Sequence, residues 1–67
     1  MNITFETSLG MGMARVQKDG CVQMSPETGT MIHTLYPLWK MAKVDGKWLK
    51  IYLRGGQQAE YKVVYVD

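Results

Sequence analysis

From Trp48 to Arg54, Leu49, Ile51 and Leu53 alternate with Trp48, Lys50, Tyr52 and Arg54. A period of two is the period of a β-strand, so this segment has one apolar face and one aromatic and basic face. A half-buried strand needs a second layer over its apolar side, and an isolated hairpin is marginal in water. The chain has 67 residues in which to supply that layer. A domain of about 60 residues buries only about 60% of its unfolded surface, so nearly every segment must contribute to one core.

The other segments repeat the pattern. Ile3, Phe5, Thr7 and Leu9 alternate with Thr4, Glu6 and Ser8, which predicts a first strand over 2–9. Gly10 and Gly12 then interrupt it, and Gly10-Met11-Gly12 is expected to be a bend. It is not a phosphate loop, because no G-x-G-x-x-G, no Lys-Ser/Thr pair and no helix start follows. Met13 to Met24 reads as a hairpin around Lys18-Asp19-Gly20. A three-residue loop with Gly20 left-handed sets Val16 opposite Val22 and Ala14 opposite Met24, which keeps one face apolar.

Ser25-Pro26-Glu27-Thr28 carries a helix-start signal: Ser25 as N-cap, Pro26 at the first helical position and an acid in the first turn. Gly29 and the β-branched Thr30, Ile32 and Thr34 oppose a long helix. One helical turn over 26–29 and a strand over 30–36 are therefore expected. A helix of two to three turns ending before Pro37, with Met31 and Leu35 stacked four apart, is the alternative.

Trp39 to Arg54 forms a second hairpin around Asp45-Gly46. A two-residue loop pairs Val44 with Lys47 and puts Leu38 and Ala42 on the core side, leaving Trp39, Met41, Lys43, Trp48, Lys50 and Tyr52 outside. A three-residue loop sends Trp39 and Met41 inward but opposes Lys40 to Lys50 and Lys43 to Lys47, and opposed like charges are unfavourable. The first register is the one expected. Gly55-Gly56-Gln57-Gln58 is a polar turn, and Ala59 to Val66 is a last strand with Ala59, Tyr61 and Val63 inward beside Leu53, Ile51 and Leu49. Val64 and Val66, outside near Trp48, suggest cover from the N-terminal hairpin or a second subunit.

Together these segments predict a mainly β, single-domain antiparallel barrel or sandwich over 1–67, with five to six strands, of SH3-like or OB-like size, and at most one short helix near residues 26–36. The lone Cys21 excludes an intrachain disulfide, and one cysteine with one histidine, His33, falls short of a structural zinc set. No metal or cofactor is expected. The start of the chain lacks a basic and an apolar signal region, and no apolar run is long enough to span a bilayer, so a reducing, cytoplasmic setting is the expected one.

Catalytic inventory is thin. There is no G-x-S-x-G and no cysteine-protease signature, Asp19 and Asp45 are turn residues, and Glu60 faces a base across the sheet, so no enzyme is expected. Cys21 reads as a partly buried small hydrophobe and His33 as a hydrogen-bonded strand residue. Most of the six methionines are core filler, although Met11, Met13 and Met41 exposed together would make an adaptable surface.

The formal charge is only +2, but residues 39–54 hold Lys40, Lys43, Lys47, Lys50 and Arg54 against Asp45, a local +4. The candidate binding residues are therefore Trp39, Lys43, Trp48, Lys50, Tyr52 and Arg54. Trp, Tyr and Arg are the residues that anchor protein interfaces, so the first expectation is an accessory or inhibitor-like module that binds a larger protein or complex. The alternative is single-stranded nucleic acid, with bases stacked on the aromatic rings and lysines on phosphates. A total charge this small and the lack of RNA-binding motifs weigh against that alternative.

Overall fold

The computed structural model describes residues 1–67. Six antiparallel strands and one helix follow in the order β1 (Asn2–Thr7), β2 (Gly10–Val16), β3 (Val22–Met24), α1 (Pro26–Leu35), β4 (Trp39–Asp45), β5 (Trp48–Leu53) and β6 (Gln58–Val66). Around the sheet the strands lie in the order β3-β2-β1-β6-β5-β4. The two outermost strands meet through a bridge between Cys21 and Lys43, and the Val44 N–H donates to the Gly20 carbonyl at 3.0 Å. The result is a nearly closed barrel in which each strand neighbours its neighbour in sequence, the helix connects β3 to β4, and β6 returns to β1.

The interior is filled by Ile3, Phe5, Ala14, Ile32, Ala42, Leu49 and Ile51. Phe5, Ile32, Leu49 and Ile51 are completely shielded, and full burial of such side chains is worth about 1.5–3 kcal/mol each. Leu49 and Ile51 are the inward residues of the alternating segment, as their spacing requires. No helix is long and apolar enough to cross a membrane.

The first strand is shorter than its alternation suggests. It ends at Thr7, Ser8 and Leu9 form the turn, and Thr7 pairs with Gly10. The Thr7 hydroxyl accepts the Leu9 N–H at 3.1 Å and donates to the Gly10 carbonyl at 2.9 Å. This hydroxyl-built turn leaves Leu9 exposed and puts Gly10-Met11-Gly12 in β2 instead of in a bend. Gly12 lies opposite Phe5, and a Cβ at this position would sit 2.6 Å from the Phe5 ring. The glycine is there because the aromatic ring occupies the space of its missing side chain.

The β2–β3 hairpin has the expected register, with Val16 opposite Val22 and Ala14 opposite Met24. Gly20, at φ +88°, closes its loop. The Gly20 N–H donates to the Gln17 carbonyl at 3.0 Å.

The expectation of a strand over 30–36 is corrected: residues 26–35 are all helical. Ser25 caps the helix, accepting the Thr28 N–H at 3.3 Å. The β-branched threonines fit because Thr30 donates to the Pro26 carbonyl and Thr34 to the Thr30 carbonyl, at 3.1 and 3.0 Å. Buried Thr28 ties the helix to the barrel by accepting the Met13 N–H at 2.9 Å, and Ile32 enters the core. Tertiary packing thus overrides weak local propensity. At the far end, Tyr36 and Tyr61 share a hydrogen bond of 2.6 Å between their hydroxyl groups.

Two measurements test this packing. Gly12→Ala is expected to lower unfolding free energy in urea by about 1–3 kcal/mol through overpacking, and Phe5→Leu should recover part of that loss in the double variant. Burial, together with the hydrogen bond that the Tyr61 hydroxyl donates to Tyr36, pushes the Tyr61 phenol up to about 12. An unfolded phenol titrates near pH 10, so between about 10 and 12 the unfolded chain loses a proton that the folded chain keeps. The stabilisation is fully present below pH ~10 and disappears across that window. Alkaline unfolding curves of Tyr61→Phe should be flatter there.

Candidate functional site

The outer face of β4, β5 and β6 is set by a turn that differs from both expected registers. Asp45 pairs with Trp48, so Gly46 and Lys47 form the loop. Gly46, at φ +63°, supplies the positive φ that a tight hairpin turn needs at its first central position. Val44 then faces Leu49 and Ala42 faces Ile51 on the core side. The cost is that Lys43 lies directly opposite Lys50. That repulsion is offset locally: the Lys50 Nζ donates to Asp45 at 3.1 Å, and Glu60 is the cross-strand partner of Lys50 on β6. The hydrogen bond to Asp45 and its charge hold the Lys50 ammonium above its usual pKa.

A register shift between Trp39 and Met41 decides the two faces of β4. The extra residue, Lys40, reverses the alternation on one side of it. Trp39 therefore pairs with Leu53 and packs against the core, while Met41 pairs with Tyr52 on the outside. Leu38, expected inside, is exposed.

Of the six sequence candidates, the structure brings four together: Lys43, Trp48, Lys50 and Tyr52. Trp39 is turned inward. Arg54 lies beyond the end of β5 in the Arg54-Gly55-Gly56 turn, where its backbone N–H donates to the Leu38 carbonyl at 2.9 Å. Arg54 is one of the residues around a shallow cavity of about 190 Å³, with Leu35, Tyr36, Pro37, Leu38, Leu53 and Gln57.

The last strand keeps its expected inner face but pairs two residues out of register. Trp48 lies opposite Lys62, Lys50 opposite Glu60 and Tyr52 opposite Gln58. Lys62 thereby joins the patch beside Trp48, which is 46% exposed. Alternation along β6 marks Lys62 as outward, but only the turn length fixes which residue it neighbours. Beyond it the β1–β6 pairing shifts register between Thr4 and Phe5. Val64 and Tyr65 are both exposed there, and the unbroken V-V-Y-V run is the sequence trace of that irregularity.

The face thus reads, row by row across β4, β5 and β6, Asp45–Trp48–Lys62, Lys43–Lys50–Glu60 and Met41–Tyr52–Gln58. An exposed indole sits among cations, of which only Lys50 is ion-paired. His33 lies exposed in the last turn of α1, not in a strand, and Cys21 is half-buried beside β4. No group of three or more His, Cys, Asp or Glu side chains is placed to hold a metal. Comparison with protein-family models, with curated proteins and with solved structures finds no match.

The inward and outward tryptophans should separate in a stability measurement. Trp39→Ala is expected to cost about 2–3 kcal/mol, as a partly buried aromatic truncation, whereas Trp48→Ala should cost less than about 1 kcal/mol. Acrylamide should quench the fluorescence of the Trp39→Ala variant, which retains Trp48, more efficiently than that of the Trp48→Ala variant.

Proposed function

We propose that this chain is a small non-enzymatic binding protein, an accessory or inhibitor-like module that docks a larger protein through the outer face of β4, β5 and β6. The observation that carries the reading is Trp48: a large aromatic side chain 46% exposed on a backbone held by strands on both sides. A rigid aromatic ring loses little conformational freedom on docking, which is why Trp and Tyr anchor interfaces. Tyr52 extends the anchor, and Lys43, Lys47 and Lys62 surround it without carboxylate partners inside the chain. The matching surface is one that presents carboxylates around an apolar or aromatic contact.

The single-stranded nucleic-acid reading uses the same face but is less well supported. Lys50, at its centre, already shares its charge with Asp45 at 3.1 Å and faces Glu60, so phosphates would meet carboxylates there. The half-buried single cysteine suits a cytoplasmic setting.

The test compares wild type with Trp48→Ala/Tyr52→Ala, each immobilised and exposed to host lysate, alongside fluorescence titration of the wild type with single-stranded oligonucleotides at low and high salt. The expected result is a protein retained by wild type, reduced at least ~10-fold with the double variant, and no oligonucleotide quenching. Equal retention by both proteins, or quenching that weakens steeply with salt as phosphate binding does, would overturn the proposal.

A further inference from the structure

Around the barrel, every pair of neighbouring strands is joined by a run of cross-strand partners except β3 and β4. Those two are joined by a single isolated bridge, between Cys21 and Lys43. Cys21 does not exchange backbone hydrogen bonds with Lys43. Its N–H donates to the Asp19 Oδ1 at 3.0 Å, and its carbonyl accepts the Gln17 N–H at 2.8 Å. The bridge is therefore a non-hydrogen-bonded pair. What the loop offers β4 is the Gly20 carbonyl, which accepts the Val44 N–H at 3.0 Å.

The loop that makes this contact is a preformed unit. The bond from Gln17 to Cys21 ties its two ends, the Gly20 N–H donates to the Gln17 carbonyl at 3.0 Å, and Asp19 holds the Cys21 N–H. On leaving β4 the loop keeps all three, and the released Gly20 carbonyl and Val44 N–H pass to water, where an unmade bond costs little. The flanks need not follow. The Val16 N–H donates to the Met1 carbonyl at 2.7 Å and the Ser25 N–H to the Met13 carbonyl at 3.1 Å, which fixes the chain on both sides of the loop. Helix α1 is fastened to β2 through Thr28 and Met13 and to β6 through Tyr36 and Tyr61, and β4 is paired with β5 along its length. Little apolar cover is at stake, because Gln17, Lys18 and Asp19 are exposed and Cys21 is only half-buried.

We propose that residues 17–21 form a strap that closes the barrel against β4 and opens as a unit while the rest of the barrel stays folded. Local openings of this kind have free energies well below that of global unfolding. Opening uncovers the half-buried Val22 and Val44 and frees the edge of β4, the strand that carries Lys43. The strap is a gate at the one seam that strand pairing does not seal, and it operates whether or not the Trp48 face binds a protein.

Amide hydrogen exchange on the wild-type chain tests the proposal, read at Val44 and, for comparison, at Leu49 and Ile51 in β5, which is paired on both sides. Val44 is expected to exchange at least ~100-fold faster than Leu49 and Ile51 after correction for intrinsic rates. Low urea should not accelerate it, because the opening exposes little surface. Lys43→Cys supplies a lock: a non-hydrogen-bonded antiparallel pair has Cα atoms about 4.5 Å apart, within the range that a disulfide spans. Oxidation should join the new thiol to Cys21 and slow Val44 exchange at least ~10-fold, and reduction should reverse the effect. Asp19→Ala gives the open strap freedom that closing must remove again, so it should speed Val44 exchange about threefold or more and leave Leu49 and Ile51 unchanged. Val44 exchanging as slowly as Leu49 and Ile51, thiols that fail to join in the folded variant, or an oxidised variant whose Val44 exchanges as fast as the reduced one would overturn the proposal. Asp19→Ala needs no new thiol and decides the matter if Lys43→Cys does not fold: an unchanged Val44 rate in that variant overturns the strap.

Discussion

Phe5 is the residue on which the barrel turns. Its ring occupies the space left by the absent side chain of Gly12 on β2, and it packs at 6.0 Å against Tyr61 on β6. Tyr61 in turn meets Tyr36 edge-on at 6.3 Å, and their hydroxyl groups are joined at 2.6 Å. Three adjacent strands and the end of the helix are thus linked through one completely shielded aromatic side chain. In a chain with so few buried residues, that contact sets the curvature that brings β3 toward β4. An aromatic ring laid over a cross-strand glycine lets the sheet bend without opening a void.

The parts of this arrangement legible in the sequence are those governed by a single local rule. Alternation identifies Leu49 and Ile51 as core. Gly20 and the apolar matching of Val16 with Val22 identify the β2–β3 register. Ser25 and Pro26 mark the helix start. What alternation does not reveal is set by competition between rules. The expected Asp45-Gly46 loop becomes a Gly46-Lys47 loop, since Gly46 can serve as the first central residue and Ala42 and Val44 then meet Ile51 and Leu49. Core pairing outweighs the opposition of Lys43 and Lys50, a surface effect that Asp45 relieves.

The helix and Trp39 were obscured for related reasons. Thr30, Ile32 and Thr34 have the composition of a strand, but a helical backbone lets both threonines use their hydroxyl groups on preceding carbonyls and lets Ile32 enter the core. Trp39 follows from one irregularity at Lys40, which reverses the inside and outside of everything on its far side. The proposed binding face is consequently narrower than the residue types alone suggest: a ridge of Trp48 and Tyr52 with Lys43, Lys50 and Lys62, without Trp39 or Arg54.

The division of labour in so small a molecule follows from its geometry. Phe5, Ile32, Leu49 and Ile51 fill the barrel, and the cavities of about 370 and 190 Å³ lie at the surface, away from the Trp48 ridge. Chemistry directed at another molecule is therefore borne by outward side chains, whose positions depend on strand pairing more than on loop conformation. Because β6 contributes Lys62 to one face and Tyr65 to the other, a change in its pairing with β1 or β5 alters both at once. The bulge opposite Thr4 and Phe5 is thus more than an accommodation to closure. It turns Val64 and Tyr65 outward in succession, and so creates the apolar row on one side of β6 while leaving the basic and aromatic row intact on the other.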